Sequence, residues 1–497
     1  SMTLSVTNTL TGEREEFEPR NDDEVLLYVC GLTVSDDAHL GHARLWAHAD
    51  VMHRWLEHEG YDVRHVENFT DVNEKIVARI GEDDFGGDES EVAEHFTSHV
   101  IRDMRGLNLK RAEVYPRVSE HVPDIIDLVE TLVERGYAYE SNGSVYFDVT
   151  AFEDYGKLSN QRLDDIETQG PEDERSEKRH PADFALWKAG AVAPEDVAEH
   201  RHADLPTVEE PCGQTWASPW GEGRPGWHVE CSAMSMTHLD DTLDIHVGGR
   251  DLVFPHHENE IAQSEAATGQ QFARYWLHVG LLQTAGDKMS SSLGNFLTVD
   301  DALAEYGVDV VRTFYLSTAY RSEQTFGEKE MREADERWER LDRAYETAVD
   351  ACDSTDAYAK VEDDTFRGAL AETRTQFREA MNDDFNVREA MAALLELATA
   401  VNRHVDDHDA YDYWALRESV EAFEELGGDV FGLSFGAATD SDGTVTLAEE
   451  LVELVLDVRE AERDAGNYER ADDLRDDLEA LGIEIQDSDD GPTYRFE

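Results

Sequence analysis

The chain has 497 residues, 40% of them hydrophobic, enough for two to four packed domains. It contains no run of eighteen apolar residues, which excludes a membrane-spanning helix, and its four cysteines are too few for a disulfide framework. With 112 acidic residues against 43 basic ones the formal net charge is −69.

The acid is spread along the chain rather than gathered in a tail, and the basic residues are mostly arginine. That composition suits a salt-rich cytosol. At molar salt the Debye length is about 3 Å, so self-repulsion is screened; at low salt it acts against the fold. The N-terminal SMTLSVTNTL has no basic start followed by an apolar stretch, so no secretory signal is read and a reducing cytoplasm is expected. Cys212 and Cys352 read as ordinary free thiols.

In chain order, Glu24 to Gly31 (EVLLYVCG) reads as a buried strand running into a loop. HLGHARLWAHADVMHRWLEHEG has apolar residues at helical spacing and stops at Gly60. YDVRHVENFTDVNEK follows as strand and loop. Strand, glycine-containing loop, helix, strand is the start of a doubly wound nucleotide-binding unit. Val122 to Gly136 is predicted as an amphipathic helix and Ser141 to Asp148 as a short hairpin. Leu163 to Trp216 lacks apolar periodicity and reads as a largely surface, partly mobile insertion. The nucleotide-binding unit resumes with GWHVECSAM and LDIHVGGRDLVFPHHENEIAQSEAA, and Tyr275 to Leu282 is predicted as a strand. From about Arg332 long charged amphipathic helices take over. A glycine-rich break, GGDVFGLSFGAATDSDG, precedes a final helix pair and a strand-like end.

Three groups of residues carry chemistry. Cys30, Cys231, His256 and Glu260 combine thiolate, imidazole and carboxylate in a ratio that suits zinc, with His256 and Glu260 at i, i+4 spacing. A closed structural zinc, or a buried Cys231 with no metal, fits the same spacing. The position of Cys30, at the end of the strand leading to HLGH, favours a metal in a substrate cleft. HLGH places His39 and His42 at a helix head, where free N–H groups attract phosphate, and Gly41 lets a nucleotide approach the backbone. KMSSS (Lys288 to Ser292) puts a lysine and serines on a loop able to grip β- and γ-phosphates. Each of the two short motifs is weak alone. Together, about 250 residues apart on parallel-sheet units, they read as an ATP-activating site.

YVCGLTVSDDAHLGHAR, ENFTDVNEKI, FALWK, GRPGWHVECSAM, DIHVGGRDLVFPHHENEIAQ, KMSSSLGNF and MNDDFNVREAMAALLELATAVN together resemble the cysteinyl-tRNA synthetase family of class I, in its haloarchaeal form, over nearly the whole chain. The resemblance implies an α/β Rossmann-like catalytic domain with a connective insertion, an α-helical anticodon-binding bundle and a small C-terminal α/β unit. Placed on this chain, residues 1–120 and 217–296 form the catalytic halves, with 121–216 the insertion. A stem-contact region at 297–335, the bundle at 336–430 and the C-terminal tRNA-binding unit at 445–497 complete it. It implies one Zn2+ per chain on Cys30, Cys231, His256 and Glu260. Gly31, Thr33, Thr70, Trp227 and Asp251 would surround L-cysteine. His39, Gly41, His42, Lys288 and Ser291 would hold ATP, supplied with Mg2+, with His39, His42 and Lys288 catalytic. The reaction would form cysteinyl-adenylate and pass cysteine to tRNA(Cys). No membrane partner and a monomer are expected.

Three departures stand out. Ser291 replaces the usual second lysine of the loop, Val247 stands where a glycine is common, and the insertion between Trp187 and Trp216 is long and acidic. Arg102, Arg105, Arg111, Arg463, Arg470 and Arg475 are candidate tRNA contacts. Two rivals remain. One is a cysteine ligase of thiol-cofactor synthesis, which lacks a full anticodon domain; the other is a tRNA-binding paralogue that has lost activation.

Overall fold

The computed structural model describes residues 3–166, 174, 176–284, 287–288 and 297–496, with the backbone alone at 287–288 and 437–446. The chain divides into two compact units, Ser1–Leu433 and Ser434–Glu497.

In the larger unit a hairpin, β1 (Ser5–Asn8) and β2 (Glu13–Glu16), precedes β3 (Glu24–Val29), α1 (Leu40–His58) and β4 (Asp62–Glu67). Then come α2 (Glu74–Val77), α3 (Glu89–Gly106) and α4 (Val122–Glu134). The connective region holds β5 (Ala138–Ser141), β6 (Ser144–Phe147), β7 (Phe184–Ala189), α5 (Pro194–His200) and β8 (Gly223–Pro225). The alternating pattern resumes with α6 (Trp227–His238), β9 (Leu243–Gly249), α7 (Glu258–Thr268) and β10 (Ala273–Val279). Next are β11 (Leu282–Thr284), β12 (Asp287–Lys288), α8 (Val299–Tyr306), α9 (Val308–Tyr315) and β13 (Gln324–Phe326). Four helices follow: α10 (Glu328–Cys352), α11 (Asp364–Asn382), α12 (Val387–Asp407) and α13 (Tyr413–Ala422), with the short strands β14 (Ala357–Tyr358) and β15 (Tyr411–Asp412) at their turns.

The main sheet is parallel throughout, in the order β10-β9-β3-β4. Helices cover both faces, so its strands read as continuous apolar runs: five of the six residues of β3 are buried. The carboxyl ends of β3, β4 and β9 point the same way, and loops there carry the candidate residues, as open α/β sheets arrange their ligand sites. The connective strands form an antiparallel sheet in the order β5-β6-β7-β8. Its first turn is Asn142-Gly143, both at positive φ, as a tight hairpin demands.

Three expectations need correction. The region 163–216 is not merely surface. Phe184, Leu186 and Trp187 on β7 are buried in the core, and Val192 and Val197 pack with Val77 and Ala78. Alternation is hidden there because both faces of β7 are covered. The strand expected over 275–282 is two strands, broken at Gly280, whose Cβ position lies 2.4 Å from Ser322 O. The glycine-rich break is largely helical: Phe423–Val430 is a wide helical segment and α14 (Ala437–Asp464) starts ten residues before Leu447.

The smaller unit packs α14 and α15 (Tyr468–Ala480) on a hairpin of β16 (Ile483–Gln486) and β17 (Thr493–Phe496). Its core is small: Val452, Leu456, Leu478, Ile483 and Ile485. Arg459, Arg463 and Arg475 converge on Asp487, with Arg459 bidentate at 2.8 Å on both oxygens.

Candidate active site and metal centre

Cys30 follows β3 directly and is tied to β9 by Cys30 N donating to Val247 O at 3.0 Å. Its Sγ lies 3.9 Å from Cys231 Sγ on α6 and 3.6 Å from His256 Nε2. His256 and His257 sit in a wide turn at the head of α7, where Phe254 leaves helical geometry. Glu260 follows within the first turn. One ligand atom each from Cys30, His256, His257 and Glu260 falls within 4.8 Å of all the others, and all four residues are buried.

The carboxylate of Glu260 decides what such a cluster is for. Oε1 faces His246 Nε2 at 3.1 Å. Oε2 is buried, 3.2 Å from His256 Nε2 and 3.6 Å from His257 Nε2, yet accepts no hydrogen bond. His257 Nε2 is likewise buried without a partner. A buried polar atom left unmet costs about 1–3 kcal/mol, more for a charge. A cation at the convergence of these atoms removes that cost. Burial pushes the Glu260 carboxyl well up, with Cys231 adding to it. The hydrogen bond between the thiols holds Cys231 well below the usual range and pushes Cys30 above it. Thiolate, imidazole and carboxylate atoms so placed fit zinc.

Behind the cluster is a relay that sequence reasoning missed. His256 Nδ1 meets His228 Nδ1 at 2.9 Å, His257 Nδ1 meets His278 Nε2 at 2.8 Å, and His278 Nδ1 meets Thr9 Oγ1 at 2.7 Å. These contacts fix ring orientation, as outer partners of ligand histidines do. The signal was present: GWHVEC, DIHVGG, PHHE and WLHVG each bring one or two histidines to a strand or helix end.

A second cluster, Asp363, His404 and His408, lies at the bundle turns. There His404 Nδ1 pairs with Asp363 Oδ2 at 2.7 Å while Nε2 accepts from Asp412 N at 3.0 Å. Both ring nitrogens are thus used in holding the turns together.

Of the expected cysteine contacts, Gly31 adjoins Cys30 and Trp227 packs on His256. Gly31 has no room for a side chain: a Cβ there would lie 1.6 Å from Asn68 O. Its N–H donates to Asn68 Oδ1 at 2.9 Å, which also accepts from Tyr28 Oη at 2.7 Å. Thr33 and Thr70 are bridged in parallel, and Thr70 is buried. Trp227, 40% exposed, stacks on His256 with ring centroids 4.2 Å apart. Asp251 is exposed just beyond β9.

His39 caps α1, its Nδ1 accepting from His42 N at 3.2 Å. A Cβ on Gly41 would press on the His39 ring at 2.9 Å. His42 stands edge-on to Trp46 with Nε2 unmet, and burial, then His39, brings its pKa down to about 3. Leu40 N donates to Leu297 O and Val299 N to Ala38 O, so the chain after the KMSSS loop returns to the α1 head. Lys288 is on β12, paired with Gln283. Its side chain and Ser291 lie outside the described residues.

Of the candidate tRNA contacts, Arg102 bonds Asp103, Arg105 meets Tyr115 Oη, and Arg463 and Arg475 join Asp487. Arg111 lines an open cavity of about 500 Å³ with Glu24, Glu57 and Glu113. Arg470 is exposed.

A split parallel sheet, a helix head and a paired loop strand at its carboxyl edge, and a trailing helical bundle define a class I tRNA synthetase. Solved structures agree on the fold. Methionyl-tRNA synthetase from Mycobacterium tuberculosis, bound by methionyl-adenylate, superposes with TM-score 0.59 at 15% identity, covering 82% of this chain and 93% of that one. A leucyl enzyme from Agrobacterium radiobacter, in complex with tRNA, gives 0.58 at 13% identity over 84% and 85%.

Residues 16–336 match the class I (C) tRNA synthetase catalytic domain and residues 376–436 the DALR domain. The cysteine–tRNA ligase of Haloarcula marismortui is 68% identical over the full length of both chains. That of Halobacterium salinarum is 64% identical over 99% of this chain and 100% of its own, and that of Thermococcus onnurineus 43% over 99% of each. The chain belongs to the cysteinyl-tRNA synthetase family.

Proposed function

We propose that this chain joins L-cysteine to tRNA(Cys) in the cytoplasm, as a monomer, through cysteinyl-adenylate, and selects cysteine with one zinc ion. The observation that carries the zinc reading is the unmet Glu260 Oε2, buried among Cys30, His256 and His257. Cys30, Cys231, His256 and Glu260 would hold the ion, with His257 at the same convergence. Zinc held there would offer the substrate thiolate a coordination position, for which the hydroxyl of serine would be a far poorer ligand. Selection by so specific a contact removes the need for an editing site.

The chain's own residues do the rest. Trp227 lies over His256. Gly31 keeps the cleft wall flat, and Thr33 and Thr70 border it. The exposed Asp251 carboxylate suits the substrate ammonium. ATP enters as its magnesium complex. His39 and His42 stand at the positive end of α1, where phosphate is favoured. A neutral His42 donates one N–H to the α-phosphate as charge grows on it. Lys288 and Ser291 would hold the β- and γ-phosphates, with Lys288 bearing the charge that a second lysine usually shares.

This reading assigns six segments: catalytic halves 1–120 and 217–296, insertion 121–216, stem-contact region 297–335, anticodon-binding bundle 336–430 and C-terminal tRNA-binding unit 445–497. The test is cysteine-dependent pyrophosphate exchange in molar KCl. Exchange with cysteine and none with serine is expected; equal exchange with both overturns zinc-based selection.

A further inference from the structure

Arg44 follows HLGH by two residues and is fully buried, in a chain rich in acid, with no carboxylate partner among the described residues. Burying a guanidinium is costly, and an ion pair is the usual remedy. Here every acceptor is uncharged. Nε donates to Gln324 Oε1 at 3.0 Å, Nη2 to Ala319 O at 3.0 Å, and Nη1 to Gly280 O, with a longer contact of 3.4 Å to Tyr320 O. Burial brings its pKa down to about 10, so it stays charged near neutrality.

Those acceptors belong to one frame. Gly280 is the turn between β10 and β11. Gln324 opens β13, which pairs in parallel with β11 through Leu282↔Gln324. Gln324 N donates to Leu281 O at 3.0 Å and its Nε2 to Phe314 O at 2.7 Å. On the other edge of β11, Gln283 pairs with Lys288. Arg44 is therefore the joint between the helix whose head carries His39 and His42 and the three-stranded sheet whose edge carries Lys288. The planar fork is needed because it addresses separate acceptors in fixed directions, which an ammonium does not.

We propose that Arg44 is a positioning residue for ATP activation: it sets the distance between the α1 head and the strand bearing Lys288. This rests on reading HLGH and KMSSS as the two halves of the ATP grip. The cysteine side is held separately, by β3, β4 and the Asn68 contacts, none of which Arg44 touches. Misplacing reacting groups by about 1 Å can cost on the order of a hundredfold.

The experiment is steady-state pyrophosphate exchange on the full-length chain with ATP and cysteine varied in turn. It compares Arg44→Lys and the milder Gln324→Ala with the unaltered protein, with zinc content and melting temperature measured on the same samples. For Arg44→Lys the expected result is a KM for ATP raised on the order of tenfold, with the KM for cysteine and the zinc content unchanged. Gln324→Ala should shift ATP in the same direction by less. Unchanged ATP parameters in both variants overturn the proposal. So do matched losses for ATP and cysteine that track a lower melting temperature, which mark a merely structural role. If the unaltered protein shows no cysteine-dependent exchange, the activation reading itself fails.

Discussion

Single atoms decide the site. Glu260 Oε2 and His257 Nε2 are buried and unmet, and Cys30 and Cys231 stand opposite with their sulfurs 3.9 Å apart. Removing one thiolate should therefore cost the ion and its selectivity while leaving the α1 head alone. Cys231→Ser is expected to lose zinc and the preference for cysteine over serine, with ATP affinity within about twofold of normal, since its ligands are elsewhere. Normal discrimination in that variant, measured by exchange with each amino acid, would contradict it. Gly31 gives a second test. A methyl group 1.6 Å from Asn68 O forces the β3 and β4 loops apart. Gly31→Ala should cost more than about 2 kcal/mol in stability or abolish cysteine binding, read by thermal melting and by the KM for cysteine.

At the scale of elements, α1 does two tasks: its head carries His39 and His42, the proposed ATP contacts, and its far end is locked by buried polar groups. His53 on α1 meets His65 on β4 at 3.0 Å and Glu57 at 2.8 Å, near Asp50. Burial, then His65, brings the His53 pKa down to about 4. An unfolded histidine titrates near 6.5. Below that pH the unfolded chain takes up a proton that the folded one refuses, so the stability this neutral histidine permits is present above about pH 6.5 and is lost as pH falls toward 4. The melting temperature in molar KCl should drop across that window, and more shallowly in His53→Gln. An identical slope in the variant would assign the acid lability to other groups.

The sequence made some elements plain and hid others. α1 and α4 were legible because apolar spacing and a stop residue agree. The Asn142-Gly143 hairpin was legible because that turn demands those residues. β7 was missed because Phe184, Ala185, Leu186 and Trp187 are all buried, which leaves no alternation to read. The candidate metal ligands Cys30, Cys231, His256 and Glu260 were visible as residue types, but their meeting depends on β3, α6 and α7 converging, which only the resemblance implied. His257 was overlooked because i, i+4 spacing favours His256; the wide turn at Val253–His257 brings its neighbour in as well. Arg44 looked like any helix arginine until its acceptors were seen.

At the scale of the whole molecule the net charge of −69 sets the conditions of folding. The smaller unit is the extreme case: among the described residues its core cluster joins only Val452, Leu456, Leu478, Ile483 and Ile485, and three arginines gather on Asp487. Diluting salt lengthens the Debye distance from about 3 Å at 1 M to about 10 Å at 0.1 M, and repulsion among the acids grows. Unfolding or inactivation on dilution to about 0.1 M KCl is expected, followed by circular dichroism; an unchanged melting temperature there would contradict the reading. The same charge bears on tRNA. Counterion release contributes little in molar salt, so affinity must come from shape, hydrogen bonds and stacking. The arginines already paired with acids are poor candidates for that contact.

The central claim is that a zinc ion on the Cys30–Glu260 cluster selects cysteine for transfer to tRNA. The most direct test charges transcribed tRNA(Cys) in molar KCl with cysteine and with serine, and assays zinc on the same sample. The account predicts charging by cysteine alone, with about one zinc per chain as a single closed cluster requires. Equal charging by serine, or full cysteine charging by protein that holds no zinc, would contradict it.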